Sequence, residues 1–327
     1  MHLKEYNYKL PLTICGLGRF AIKRILPAII KSQNVELVSV VSRSNKVTDL
    51  PINVQQFPTL EKFLESNPIG AVYITSPNYL HAKQSLQCLE AGLHVLCEKP
   101  MAVNSDDCQE MIGVAKKYNL NLWVGHMLRF SPALLVVRKW LQAGLIKSPN
   151  AMSMIFHYQL QEGGRRWAFQ AGQKGGGALM DAGVHCIDVM RMLIDSPIEA
   201  LEASTDRNSH ADGVDRSVKC TLAVGSVKCT LDINSQKPYK TILKVGDVKN
   251  EIVVDNFAAC WGKITVKLND LKYNKTIKQE IVDVSSIYTE QLQGFSLAVG
   301  ESGDLSCQDI AAAENIYIVE SIYALDK

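Results

Sequence analysis

Lys99 stands just past a short apolar run, Val95-Leu96-Cys97, and is followed at once by Pro100. An ammonium at the carboxyl end of a buried strand can donate a hydrogen bond to a substrate oxygen. There it stabilises negative charge as an alcohol becomes a carbonyl. The plainer alternative is a surface lysine before a proline turn. Further along, Asp181 and His185 lie four residues apart in a segment of helical pattern, so both project from one face. A carboxylate beside an imidazole makes a proton-transfer pair, because histidine changes charge near neutral pH. The structural alternative is Asp181 as a helix cap and His185 as a core residue. Asp188, three residues beyond His185, either pairs with it or faces solvent.

A second chemistry is written near the start. Gly16-Leu17-Gly18-Arg19-Phe20-Ala21 is a GxGxxA turn between an apolar run and a helix-like segment. The first glycine permits the tight turn, the second lets a pyrophosphate approach the backbone, and the small third residue allows close helix–strand packing. The phosphate would sit on the helix N-terminus, among free amides and at the positive end of the dipole. A dinucleotide site that reads a free ribose has an acid about 20 residues on. Here the second strand ends Val40-Val41-Ser42-Arg43-Ser44, a hydroxyl beside a guanidinium. That pairing suits a 2′-phosphate and favours NADP(H), with NAD(H) also accepted. Pro27 falls inside the helix that follows the glycine turn and is expected to kink or shorten it.

The elements that must position these groups alternate at first. Strand-like runs at Leu12–Cys15, Val35–Ser42, Ala71–Thr75, Val95–Cys97 and Leu120–Val124 are separated by helical segments, among them Leu60–Glu65, His81–Ala91 and Ser105–Tyr118. That order predicts a doubly wound α/β fold with a parallel sheet covered on both faces. Past about residue 125 the pattern changes. Helices at Pro132–Ala143 and Ala178–Ile194 flank a strand at Met152–Gln159, alternating strands fill Ile198–Val284, and Tyr288–Leu325 is helical again. This predicts a second, α+β domain with a large, mostly antiparallel sheet. The expected division is 1–125, 126–285 and a terminal helical segment 286–327.

Composition narrows the choices. The 327 residues suit two cores, and 47% hydrophobic with 21% charged residues is ordinary for a globular chain. A net charge of +2 gives little field for a phosphate backbone or an anionic membrane, so neither nucleic acid nor membrane is an expected partner. The lysines between Lys237 and Lys249 and between Lys263 and Lys278 alternate with Val, Ile and Leu, as on the solvent faces of half-buried strands. Nine cysteines lie scattered with no metal-ligand spacing, which points to free thiols in a reducing, cytoplasmic setting and to no metal. No apolar run approaches the roughly 20 residues that cross a bilayer.

Three longer stretches carry a resemblance. They are Ala71-Val-Tyr-Ile-Thr-Ser-Pro-Asn78 with His81, running on to Ala91-Gly-Leu-His-Val-Leu-Cys-Glu-Lys-Pro100; Gly125-His-Met-Leu-Arg-Phe130; and Gly175-Gly-Gly-Ala-Leu-Met-Asp181-Ala-Gly-Val-His185. Together they resemble the Gfo/Idh/MocA oxidoreductases over nearly the whole chain. The resemblance implies a Rossmann domain, an open-faced β-sheet domain and a homodimer or homotetramer built on that sheet. It implies hydride transfer between NADP(H) or NAD(H) and a hydroxyl or carbonyl carbon of a sugar, inositol, sugar acid or sugar nucleotide. Lys99, Asp181 and His185 match the family's catalytic lysine, aspartate and histidine: His185 takes the hydroxyl proton, Lys99 polarises the oxygen and Asp181 orients the substrate. Gly16, Gly18, Arg19, Phe20, Ser42, Arg43, Ser76, Pro77, Asn78, His81, Glu98 and Lys99 are the expected cofactor contacts. Arg129, Arg166 and Trp167 are candidates for the substrate wall, with Arg165 beside them; Trp167 packed into the core is the alternative. Two other readings remain: a dinucleotide-sensing regulatory protein without turnover, and a biliverdin reductase-like tetrapyrrole reductase. Retention of the lysine, aspartate and histidine argues against both.

Overall fold

The computed structural model describes residues 9–43, 50–51, 53–160, 166–170, 174–300 and 307–326. The chain forms two compact units, one of residues Met1–Gly125 with Tyr288–Ala313, the other of His126–Ile287 with Glu314–Lys327. The terminal helical stretch is thus divided between the two.

The first unit is built on β1 (Leu10–Cys15), β2 (Val35–Val41), β3 (Gln55–Phe57), β4 (Ala71–Ile74), β5 (His94–Cys97) and β6 (Leu122–Val124). They form one parallel sheet in the order β3-β2-β1-β4-β5-β6. The strand order reverses between β1 and β4, which makes the carboxyl ends of those strands the place where ligands bind in such folds. The residues of β4 are all buried, as expected of a strand covered on both faces. Thr13 and Ser39 share a buried hydrogen bond of 2.7 Å across β1 and β2, so the hydroxyls inside the sheet are satisfied.

The helices of this unit are α1 (Leu26–Lys31), α2 (Leu60–Leu64), α3 (His81–Glu90) and α4 (Ser105–Tyr118). The Asn104 side chain caps α4 by accepting the Asp107 amide at 2.8 Å, and Asn119 ends it at φ +54°. Pro27 does not end its helix, but the α-helical part that holds it is short, six residues. A π-turn over Ala21–Ile25 precedes α1, and the Leu26 amide reaches back to the Ala21 carbonyl. The wider turn places Pro27 in the first turn of α1, where its missing N–H costs no hydrogen bond. The helix Ile287–Gly300 sends Leu292 and Phe295 into the core around β1, and Phe295 meets Trp123 edge-on at 5.8 Å.

The second unit carries an eight-stranded sheet in the order β14-β13-β12-β11-β7-β10-β9-β8. Its strands are β7 (Ala151–Gln159), β8 (Ile198–Thr205), β9 (Ser217–Val224), β10 (Val227–Asn234), β11 (Gln236–Gly246), β12 (Asn250–Asp255), β13 (Lys263–Asp270) and β14 (Lys275–Asp283). Only β7 and β10 pair in parallel. The alternation is plain in β9, where Val218, Cys220, Leu222 and Val224 are buried while Lys219 is exposed. The lysines of β13 follow the same rule, whereas Gln236–Lys240 of β11 is exposed throughout. The helices α5 (Pro132–Gln142) and α6 (Val184–Leu193) and the terminal α8 (Cys307–Leu325) complete the set; α7 is the Ile287–Gly300 helix above.

Seven of the eight described cysteines are buried free thiols and Cys260 is half-buried. Burial pushes Cys15, Cys220 and Cys229 up to about 12, so these thiols stay protonated at neutral pH. Among the described residues no helix is long and apolar enough to cross a membrane, and no group of three His, Cys, Asp or Glu side chains could hold a metal ion.

Candidate active site

Three loops leave the carboxyl edge of the first unit's sheet side by side. The glycine turn follows β1, the Ser76 loop follows β4, and the Lys99 turn follows β5. Gly16 has φ +101°, and a Cβ there would lie 2.7 Å from the Ser76 amide nitrogen. The turn can approach the β4 loop only because this residue has no side chain. At Gly18 an added Cβ would meet nothing nearer than the Gly16 carbonyl at 3.8 Å, so the backbone there is open to a ligand. Arg19 and Phe20 begin the helix and are exposed, and Phe20 meets Tyr288 edge-on at 5.8 Å. The first amides of a helix have no partner within it, and with the dipole they form a cradle that fits a pyrophosphate. Ala21, fully buried, is the small residue that the turn needs.

At the end of β2, the Ser42 amide donates to the Phe57 carbonyl at 2.9 Å and Arg43 is exposed. Ser44 lies outside the described residues. In the β4 loop, Ser76 donates its hydroxyl to Gln84 Oε1 at 2.6 Å. Pro77 precedes the short 3-10 turn Asn78–Leu80, and Asn78 is buried. His81 departs from expectation. It is 1% exposed, with Nδ1 2.7 Å from the Pro100 carbonyl oxygen and Nε2 2.9 Å from that of Ser76. Both ring nitrogens face main chain, so the ring supports the loops from behind and offers neither nitrogen to a ligand.

Lys99 is half-buried and joined to Pro100 by a cis peptide bond. Glu98 beside it is buried and accepts the Tyr73 hydroxyl on Oε1 at 2.6 Å and the Lys99 amide on Oε2 at 3.2 Å. Gln291 donates to the Tyr73 hydroxyl at 3.3 Å, 218 residues away in sequence. Burial, and then the Glu98 charge, hold the Tyr73 hydroxyl well above its usual pKa, so it stays a donor. Gly125 completes the fit, since a Cβ there would lie 2.8 Å from Glu98 Oε1. Tyr73 and Gln291 escaped sequence reasoning. The only local sign was a tyrosine inside an otherwise aliphatic strand.

The second unit holds Asp181 and His185 in one helical run, a π-turn over Leu179–Gly183 continuing into α6. Its entry is pinned by Asp215, a residue with no marker in the sequence. Asp215 Oδ2 accepts the Leu179 amide at 2.8 Å, and Oδ1 accepts the Tyr323 hydroxyl at 2.5 Å. Gly177, at φ +119°, leaves room for that carboxylate, which a Cβ would overlap. Burial pushes the Asp215 carboxyl up, against the hydrogen bonds from Tyr323 and Leu179. Asp181 is half-buried. His185 is 6% exposed, parallel to the Phe156 ring at 6.4 Å and edge-on to His126 at 6.4 Å.

Asp188 corrects an expectation, and Arg129 is its partner. Asp188 does not face solvent: it is 1% exposed and takes a forked contact from Arg129, Nε to Oδ2 at 2.9 Å and Nη2 to Oδ1 at 2.5 Å. Asn315 adds a donor at 2.9 Å, and His126 Nδ1 lies 3.7 Å from Oδ2. Burial alone would raise this carboxyl, but the His126 and Arg129 charges and the hydrogen bonds from Arg129 and Asn315 outweigh it and hold it at about 2. The Arg129 guanidinium is therefore engaged by a carboxylate of its own unit. Arg166 starts a short 3-10 turn, Arg166–Phe169; its side chain and that of Trp167 lie outside the described residues, as does Arg165.

Comparison with known proteins now has a geometry to meet. Residues 11–126 match the sequence model of the Gfo/Idh/MocA oxidoreductases with an NAD-binding Rossmann fold, and residues 134–256 match that of the Gfo/Idh/MocA C-terminal domain. A 1,5-anhydro-D-fructose reductase of Ensifer adhaerens is 30% identical over 211 residues, 63% of this chain and 63% of that protein, so the matched stretch spans under two thirds of the relative. A dTDP-3,4-didehydro-2,6-dideoxy-alpha-D-glucose 3-reductase of Saccharopolyspora spinosa is 29% identical over 253 residues, 74% of this chain and 73% of the relative. Among solved structures, KijD10, a 3-ketoreductase from Actinomadura kijaniata in complex with NADP and TDP-benzene, superposes with a TM-score of 0.88 over 98% of both chains. At 20% identity that likeness speaks for the fold alone. Two family models in tandem over most of the described chain, on the parallel sheet and the open sheet that they require, place this protein in the Gfo/Idh/MocA oxidoreductase family.

Proposed function

We propose that this protein is an NADP(H)-dependent oxidoreductase, also able to take NAD(H), acting on a hydroxyl or carbonyl carbon of a sugar, inositol, sugar acid or sugar nucleotide. The observation that carries the reading is the placement of Lys99 at the end of β5, on the sheet edge that also bears the Gly16–Gly18 turn. When bound, the dinucleotide supplies the nicotinamide that exchanges hydride with the substrate carbon. The amides at Arg19 and Phe20 would hold its pyrophosphate, and Ser42 with Arg43 would take the 2′-phosphate. Lys99 donates to the substrate oxygen and stabilises it as it gains negative charge. His185 holds the hydroxyl proton, or returns it in reduction, and Asp181 orients the neighbouring hydroxyls. Phe156 and His126 flank the His185 ring and keep it largely out of water.

The relatives support a carbohydrate substrate, since their names give sugar and nucleotide-sugar reductases and a D-xylose 1-dehydrogenase. Buried free thiols support a reducing, cytoplasmic setting. The exposed Ile277 and Ile281 on β14 support assembly into a dimer or tetramer through the second unit's sheet.

The test is absorbance at the nicotinamide band with NADPH or NADH and 1,5-anhydro-D-fructose, and with NADP+ or NAD+ and D-xylose, myo-inositol and aldoses. Turnover with one of them is expected. Lys99→Ala and His185→Ala are expected to abolish it while fluorescence titration still shows NADPH binding. Full activity in either variant removes that residue from the mechanism. NADPH binding with no turnover on any compound would favour a dinucleotide sensor.

A further inference from the structure

His81 opens α3, and the two oxygens that its ring faces belong to the β4 loop and to the turn carrying Lys99. Neither carbonyl oxygen can donate, so each contact is a hydrogen bond only when the ring nitrogen facing it bears a proton. A neutral imidazole has one such proton and an imidazolium two. Burial opposes the second proton, the Pro100 and Ser76 carbonyls favour it, and the Lys99 ammonium opposes it. The outcome is a ring held below the ordinary histidine value. Of the other titratable groups on the surrounding elements, Lys83 and Glu90 on α3 and Asp106 and Glu110 on α4 are exposed to solvent, and those turned inward are engaged or neutral. Glu98 holds Tyr73, the Cys97 thiol points to the Glu98 and Met101 carbonyls, and Cys88 on α3 and Cys108 on α4 are buried thiols.

We propose that His81 is a positioning residue for Lys99: its buried imidazole, wedged between the Ser76 and Pro100 carbonyls and donating to one of them, braces these two stretches of main chain, and so fixes the turn from which the lysine side chain springs. The tie reaches further than that turn. Ser76 is also the residue against which the Gly16 turn packs, so one ring links the two proposed halves of the cofactor edge, the glycine cradle and the lysine. At neutral pH the ring donates to one carbonyl, and acid adds the second donor. Only the consequence for turnover rests on the proposed function of Lys99; the tie itself does not.

Acylation of lysines by acetic anhydride, read peptide by peptide in a mass spectrometer, measures the surroundings of Lys99 without any substrate. Exposed Lys228 on β10 serves as the internal standard. His81→Phe keeps a ring in place but makes neither bond. It is expected to change the Lys99 rate relative to Lys228 by about fivefold and to raise the NADPH Kd by a similar factor, the worth of one ordinary hydrogen bond. His81→Gln, whose amide can donate to one carbonyl as the neutral ring does, is expected to stay nearer wild type than His81→Phe. Rates and Kd within twofold of wild type in both variants overturn the proposal. In the wild-type protein, nitrogen-15 spectra of the histidine rings are expected to show one His81 nitrogen protonated and slow to exchange, the other bare. A ring that swaps tautomers freely overturns the proposal even if neither variant folds. Altered Lys99 reactivity with no hydride transfer on any sugar would refute the function and leave the tie standing.

Discussion

Replacing Asp188 by asparagine removes one charge from a pair that burial makes costly to break. In the folded protein the carboxylate is 1% exposed and takes both Arg129 contacts, the Asn315 amide and the field of His126. Asp188→Asn leaves the guanidinium, whose side chain is 16% exposed, without its counter-charge. Stranding a buried ion in this way costs about 3 to 5 kcal/mol. The same site sets a pH signature. The folded carboxyl sits at about 2 against an ordinary value of 3.8, so it contributes about 2 kcal/mol of stability at neutral pH. Because the folded value is the lower one, that contribution is present above the unfolded value and drains away as pH falls from about 5 towards 2. Urea unfolding of wild type and Asp188→Asn, followed by circular dichroism at pH 7, 5, 4 and 3, should show a gap that is widest at pH 7 and narrows in acid. The double variant Asp188→Leu with Arg129→Met should recover much of the loss, since no charge is left unpaired. A single variant within 1 kcal/mol of wild type at pH 7, or a gap that does not change with pH, would refute the account of this cluster.

Two further substitutions probe the two ends of the proposed chemistry. Arg43→Ala should raise the Kd for NADPH about tenfold and leave that for NADH nearly unchanged in fluorescence titrations, because only the former offers a 2′-phosphate to an exposed guanidinium. Equal weakening would remove Arg43 from cofactor choice. Gly177→Ala forces a methyl group towards the Asp215 carboxylate at a φ that alanine rarely adopts. It should lower stability by about 3 kcal/mol and displace the run bearing Asp181. An unchanged denaturation midpoint would mean that the loop relaxes around the added carbon.

The sequence alone carried whatever depends on a residue and its near neighbours. The helical segment read from Ser105 to Tyr118 matches α4 to the residue because helical periodicity is local. The run of strands and helices up to Val124 was legible for the same reason, save the short, largely exposed edge strand Gln55–Phe57, and so was the glycine turn, whose conformation only glycine tolerates. Pro27 shows the limit of local rules. Its missing donor was readable, but the π-turn over Ala21–Ile25 that precedes it, with Ala21 and Ile25 in the core, was not. Side-chain pairing across long separations was not readable at all. Arg129 with Asp188, Asp215 with Tyr323 and Tyr73 with Gln291 are separated by 59, 108 and 218 residues, and each member looks ordinary where it stands. Only the fold excludes water from these places, and a polar group deprived of water must take the partner that the fold brings to it. Tertiary structure therefore decided which charged residues were used to hold the frame.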